Sequence, residues 1–186
     1  MVLLSSQAVT QVSISIFAVY VPPDNYLGQN RMDPLARYWK RGIFPGGSIE
    51  VTLTRFLAVS SSFEYSVYEI SERFLPGEDS HASRFFIEAK LPSLQSTFPF
   101  YLSSGVGYIS EVRGGVTDIF YDPKGVNPPY PRRIDFPTNN YFVHTVGIGY
   151  RIIVVAGWGF ELRMDSFSNY SDRFQMAAKS GIVFVL

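Results

Sequence analysis

The chain has 186 residues, which suits one domain, and its 16 basic and 16 acidic side chains give a formal net charge of zero. Charged residues make up 17% of the sequence, below the roughly 25% of typical soluble domains. The absence of cysteine excludes disulfides, thiolate metal sites and a cysteine nucleophile. The balanced charge gives no global field that would favour nucleic acid as a partner.

The first eight residues are similar to the end of a secretory signal peptide. Small residues at Ser6 and Ala8 follow a short apolar run, and we predict cleavage after Ala8. On this interpretation residues 1–8 are a signal-peptide remnant and residues 9–186 form a single domain. The alternative is an ordinary apolar N-terminus.

Alternation of apolar and polar residues with a period of two dominates the chain and predicts β-strands with two unlike faces. Four segments in the first half show it, and serine, threonine and charged residues separate most of their apolar positions. Those apolar positions are Val12, Ile14, Ile16, Ala18 and Tyr20; Ile49, Val51 and Leu53; Val59, Phe63, Tyr65 and Val67; and Phe85, Ile87, Ala89 and Leu91.

The connection after the first segment carries helix signals. Asp33 can cap a helix, Pro34 fits a first turn, and Gly42 provides a stop. A short helix is therefore predicted for residues 33–42.

Four further segments continue the alternation in the second half. Their apolar positions are Phe100, Leu102, Val106 and Tyr108; Phe142, Val146, Ile148 and Tyr150; Ala156, Trp158, Phe160, Leu162 and Met164; and Met176, Ala178, Ile182, Phe184 and Leu186. Each of the eight segments is near the roughly 9–11 residues that a tilted strand needs to cross a bilayer. No apolar run approaches the roughly 18 residues of a transmembrane helix, so a chain of this kind can span a membrane only as a closed barrel.

The predicted connections alternate between long and tight. The long ones are 22–47, 71–83, 113–140 and 165–173, and the tight ones lie near 55–57, 92–99 and 152–154. This layout is typical of transmembrane barrels. We predict an all-β, eight-stranded antiparallel up-and-down transmembrane barrel with long extracellular loops and short periplasmic turns.

The composition of the polar face favours an apolar exterior. This face combines glycine and serine with charges of both signs, which suit a narrow lumen better than a solvated surface. Aromatic residues of the apolar face lie toward the strand ends, as in interfacial girdles. The alternative is a soluble lipocalin-like carrier, in which the apolar face would line the interior.

The last segment resembles the C-terminal insertion signal of outer-membrane barrels, with Ala178, Ser180, Ile182, Phe184 and Leu186 facing outward. That family usually ends in Phe or Trp, whereas this chain ends in Leu. Across nearly its full length the chain resembles the small eight-stranded outer-membrane proteins of the OmpX, OmpA and OmpW type. The resemblance implies this fold and a bacterial outer-membrane location.

The lumen of an eight-stranded barrel is just wide enough for side chains to fill it. Charges inside it must pair, because an unpaired buried charge costs several kcal/mol. We predict a salt-bridge network that plugs the lumen, formed by Glu50, Glu64, Glu88, Lys90, Glu111, Arg151, Glu161, Arg163 and Lys179. The alternative is a narrow path for ions or solutes.

Basic and aromatic residues in the loops are candidate contacts for outer-membrane lipid headgroups, lipopolysaccharide among them, or for a larger outer-membrane protein complex. The candidates are Arg37, Tyr38, Trp39, Lys40, Arg41, Arg132 and Arg133. The alternative is a solvated loop with ordinary charges.

Two other functions stay open. Passage of small hydrophobic solutes, as in the OmpW type, requires an apolar upper lumen, which Phe17, Val19, Tyr68 and Ile70 could supply. A lipid-modifying enzyme would need an activated nucleophile. His81 and Ser83, with Glu88 nearby, loosely resemble the His-x-Ser arrangement of lipid A deacylases, although His81 is predicted to lie in a polar loop. We expect no enzyme activity, cofactor, metal or nucleic-acid partner.

Overall fold

The computed structural model describes nine parts of the chain, and all structural statements concern these residues. They are 11–20, 43–68, 80–92, 98–112, 114–121, 128–135, 138–155, 157–168 and 174–186. The signal-peptide remnant, the helix predicted for 33–42 and the loop candidates Arg37, Tyr38, Trp39, Lys40 and Arg41 lie outside them.

Ten β-strands account for most of the described residues. They are β1 (Val12–Tyr20), β2 (Ile43–Thr52), β3 (Ala58–Tyr68), β4 (Ser80–Leu91), β5 (Phe100–Val112), β6 (Val116–Phe120), β7 (Tyr130–Ile134), β8 (Asn139–Val155), β9 (Trp158–Ser168) and β10 (Phe174–Val185). Eight of them form a closed antiparallel barrel in the order β1-β10-β9-β8-β5-β4-β3-β2. The predicted eight-stranded antiparallel barrel is thereby confirmed. Among the described residues, no helix is long and apolar enough to cross a membrane.

The barrel closes between its first and last strands. β1 pairs with β10 from Ser13 opposite Val185 to Tyr20 opposite Ala178. The remaining pair, β6 and β7, forms a separate hairpin inside the connection between β5 and β8. We call the end of the barrel that carries this connection the hairpin end, and the opposite end, where β1 begins and β10 ends, the terminal end.

Several strands extend beyond their predicted bounds. β2 begins at Ile43, inside the predicted connection 22–47, because its first residues pair with β1 although Pro45, Gly46 and Gly47 obscure the alternation. β4 begins at Ser80 and β9 continues to Ser168 for the same reason: partners across the sheet extend the pairing.

The tight turn predicted at 152–154 was also placed wrongly. β8 continues to Val155, and the turn includes Gly157, whose φ is +101°. Glycine adopts this backbone conformation without the steric cost that other residues meet. Since alternation carries no information about φ, it could not locate this turn.

The two faces of the barrel are chemically opposite. Charged, serine and threonine side chains face the interior, and large apolar side chains are exposed: on β8 the exposed fraction is 1% for Thr145 and 52% for Ile148. A contiguous apolar exterior marks a surface that contacts a membrane or a partner. The apolar set thus faces outward, contrary to the lipocalin-like alternative.

Aromatic pairs lie near both ends of this exterior. Toward the terminal end the ring centroids of Phe100 and Tyr150 are 4.8 Å apart, and those of Trp158 and Phe160 are 5.4 Å apart. Toward the hairpin end, Tyr108 and Phe142 are separated by 5.2 Å. Such belts are typical of the two membrane–water interfaces.

Candidate functional site: the charged lumen

Two acids and two bases meet in the lumen near the terminal end, and we call them the terminal cluster. Glu50 of β2, Lys90 of β4, Arg151 of β8 and Glu161 of β9 are its members. The two Nη atoms of Arg151 lie 3.1 and 2.8 Å from the two carboxylate oxygens of Glu50. Arg151 Nε and Nη2 also donate to Glu161 Oε2 at 2.9 and 2.6 Å. Lys90 Nζ lies 2.9 Å from Glu50 Oε2 and 3.5 Å from Glu161 Oε1.

Tyr101 completes the terminal cluster, and sequence reasoning missed it. Its hydroxyl donates to Glu161, and the charged groups of Lys90 and Arg151 each lie 5.0 Å from its ring centroid. Room for the ring comes from Gly149, where a Cβ atom would lie 2.1 Å from it. The alternation of the sequence could have revealed it, because Tyr101 lies between the outward-facing Phe100 and Leu102 and must therefore point into the lumen.

A second group, the central cluster, lies deeper in the barrel and contains three acids and three bases. Its charged members are Glu64, Glu88, Asp165, Arg84, Arg163 and Lys179. Arg163 pairs with both Glu88 and Asp165, and Lys179 pairs with both Glu64 and Asp165, at 2.9 Å to the Asp165 Oδ2 atom. Thr145 Oγ1 donates to Glu88 Oε1 at 2.9 Å.

Asp165 corrects the sequence analysis, which assigned it to a connection. Because β9 continues through Asp165, this carboxylate shares the lumen face with Arg163, two residues earlier. Glu111, by contrast, lies toward the hairpin end of β5, where the Tyr141 hydroxyl donates to its Oε1 at 2.9 Å. The structure therefore brings eight of the nine predicted residues into the two clusters and places Glu111 beyond them.

Both clusters are neutral and almost completely buried. The terminal cluster holds two charges of each sign and the central cluster three, and every one of these side chains is buried except Glu161, which is 12% exposed. Between the clusters lies a cavity of about 10 Å³, lined by Ser15, Ser62, Lys90, Glu161, Arg163 and Lys179 among others. A space of that size holds about one water molecule.

An apolar layer crosses the lumen on the hairpin side of most of the central cluster. Its buried members are Val19, Phe44, Phe86, Ile109, Val143, Phe167 and Ala177. Every barrel strand except β3 contributes one of them. Phe17 packs partly buried against the layer, so Phe17 and Val19 lie where an apolar upper lumen was predicted. The side chain of Tyr68, and Ile70 altogether, lie outside the described residues.

The candidate catalytic arrangement is not assembled. His81 lies in β4, not in a loop, because β4 begins at Ser80 and pairs His81 with Val67. It faces outward beside Tyr65, with 6.1 Å between ring centroids, whereas Glu88 is buried in the lumen. An even spacing keeps His81 and Ser83 on one face, and the odd spacing to Glu88 puts it on the other.

The described loop candidates, Arg132 and Arg133, lie on β7 of the hairpin and are exposed. Arg133 Nε donates to Asp135 Oδ1 at 2.7 Å, and the Arg132 guanidinium lies 5.4 Å from the Phe120 ring centroid. The exposed ring of Tyr130 is nearby in the chain.

No protein-family model matches the chain, and no curated protein matches its sequence. Solved structures do match it. OprG from Pseudomonas aeruginosa is 8% identical, with 96% of this chain and 97% of that chain covered and a TM-score of 0.59. The N-terminal β-barrel domain of Pseudomonas aeruginosa OprF is 15% identical, with coverages of 95% and 99% and a TM-score of 0.51. Ail of Yersinia pestis, in complex with the heparin analogue sucrose octasulfate, is 13% identical, with coverages of 95% and 97% and a TM-score of 0.51.

These similarities to solved structures show the fold of the chain. They confirm, for the fold, the resemblance to small eight-stranded outer-membrane proteins that the sequence predicted. The chain has the fold of the small eight-stranded outer-membrane β-barrels. Its apolar exterior and charged interior are those of a barrel that resides in a bacterial outer membrane.

Proposed function

We propose that this protein is a non-conducting outer-membrane barrel with a structural or interaction role, in which the charged lumen acts as a plug and the hairpin end makes the contacts. The observation that carries the proposal is the pairing of ten lumen charges, nine of them buried, into two neutral clusters. A wide, water-filled channel would keep its charges hydrated, whereas these charges are held by one another. No enzymatic step is part of the proposal.

Conductance in planar lipid bilayers tests the plug. A difference in gel mobility between unboiled and boiled samples shows that the refolded protein is folded. The folded protein should insert into the bilayer without discrete channel openings. The reason is that an ion would have to displace buried, mutually paired charges. Sustained single-channel openings of the unmodified protein would contradict the proposal.

A second candidate, passage of small hydrophobic solutes, is favoured by one observation, the apolar layer. Such a solute would have to leave the lumen either past the terminal cluster or through the barrel wall. Among the paired residues described, the wall is interrupted by one register shift, between Ile153 and Val155 at the terminal end. The proposal of a plugged barrel explains both charged clusters, whereas solute passage explains only the apolar layer.

A further inference from the structure

On most strands the apolar layer lies beyond the charged clusters along the barrel axis, toward the hairpin end. β4 is an exception, since Arg84 lies on the hairpin side of Phe86. On β9, Phe167 follows Arg163 and Asp165 toward the hairpin end, and on β10, Ala177 lies beyond Lys179 in the same direction. On β8, Val143 likewise lies beyond Thr145. A solute moving along the lumen would meet the layer separately from the terminal cluster.

Aromatic rings span the middle of this layer. Phe86 and Phe167 come from strands on different sides of the barrel, and their rings stack with centroids 5.2 Å apart and an interplanar angle of 17°. Gly107 of β5 leaves the space that Phe86 occupies, since a Cβ atom there would lie 2.2 Å from the ring. The rings therefore reach across the lumen rather than line it.

Charged groups hold the rings from two sides. Lys179 Nζ lies 5.0 Å from the ring centroid of Phe86 and 5.7 Å from that of Phe167. β3 contributes no described side chain to the apolar layer, and Arg84 of the neighbouring strand β4 lies on that side of the lumen. Its guanidinium carbon lies 5.3 Å from the ring centroid of Phe44. Its Nη1 atom lies 3.8 Å from Glu64 Oε2. These cation–π contacts tie the layer to the central cluster and fix the orientation of its rings.

A narrow apolar constriction blocks ions because water leaves it, and an ion without its hydration shell finds no partner there. We propose that the apolar layer is a second ion barrier in series with the charged clusters, so that the lumen conducts only when both are breached. The inference rests on the proposed function, because it takes the charged clusters to be the first barrier.

Four proteins compared in planar bilayers test the inference. The layer variant carries Phe86→Ser and Phe167→Ser. The cluster variant carries Glu50→Ser, Glu88→Ser, Arg151→Ser and Arg163→Ser, which removes two charges of each sign and keeps the lumen neutral. The unmodified protein, the layer variant and the cluster variant should each stay closed, and the variant that combines all six substitutions should show discrete channel openings.

A matched control separates the barrier from mere packing. The cluster variant with Phe86→Leu and Phe167→Leu should stay closed, since leucine keeps the layer apolar. The heat-dependent gel mobility of each variant reports whether it is folded, and only folded preparations are compared.

The possible failures are distinguishable. Openings in the cluster variant alone would show that the apolar layer is no barrier and would overturn the inference, leaving the plug intact. Openings in the layer variant alone would show that the charged clusters do not close the lumen and would overturn the proposed function together with the series arrangement. A folded combined variant that stays closed would also overturn the inference.

Discussion

At the scale of single residues, most charges of the two clusters contact two oppositely charged partners. Arg151 joins the two acids of the terminal cluster through four contacts between 2.6 and 3.1 Å. Lys90 alone cannot neutralise both carboxylates. The alternation of the sequence predicts that these residues share a face, but their partners are set by how strands distant in the sequence meet across the lumen.

Arg151→Met should destabilise the barrel by about 3–5 kcal/mol, because it leaves Lys90 as the one base facing the carboxylates of the buried Glu50 and the nearly buried Glu161. The free energy of unfolding by urea in lipid vesicles measures the loss. Combining Arg151→Met with Glu161→Gln leaves one acid, Glu50, and one base, Lys90, so the charges balance again. The double variant should regain much of the lost free energy of unfolding.

Arg133→Met is the control for this substitution. It removes an ion pair with Asp135 whose partners are both largely exposed, so the expected change is about 0–1 kcal/mol. Equal losses for the two arginine variants would contradict a special role of burial in the lumen.

At the scale of the strands, alternation identifies faces well and boundaries poorly. It places Ile148 outward and Thr145 inward on β8, as observed. It does not reveal that β9 includes Asp165, because polar residues near a strand end look the same as the start of a loop. The ladder partners on β8 and β10 decide where the strand ends.

Ile148→Lys should destabilise the barrel by about 2–4 kcal/mol in lipid vesicles, because a lysine on the lipid face near the bilayer midplane cannot be hydrated. Ile119→Lys on the hairpin is the matched control, with an exposed fraction of 45% against 52% for Ile148. Little change is expected there, since β6 lies outside the barrel. The fraction of protein that folds into vesicles measures both, and similar losses would contradict a membrane-facing exterior.

At the scale of the whole molecule, the two ends of the barrel differ. The hairpin end carries β6 and β7 with exposed basic and aromatic side chains, whereas the described connection 53–57 at the terminal end is a tight turn stabilised by hydrogen bonds to Thr54. An exposed loop structure on a rigid barrel is a common place for binding. We therefore expect interactions with headgroups or a partner to involve the hairpin.

We expect the protein to be more thermally stable in vesicles that contain lipopolysaccharide than in phosphatidylcholine vesicles. The double substitution Arg132→Gln and Arg133→Gln should reduce this gain in stability. Each basic residue near an anionic surface contributes about 1 kcal/mol. Arg55→Gln, in the turn at the opposite end, is the control and should leave that gain unchanged. If the hairpin variant keeps the full gain, its arginines do not contact the headgroups.

The sequence by itself determined the eight strands, their two unlike faces and the sorting of charge to one of them, because a period of two is a local property that each segment carries independently. Only the tertiary structure decided which charges pair, that Asp165 is one of them, that the Tyr101 hydroxyl bonds to Glu161, and that apolar residues from seven strands form one layer. These features depend on the stagger between neighbouring strands and on closure between β1 and β10. Both are set by the whole barrel and not by any single segment.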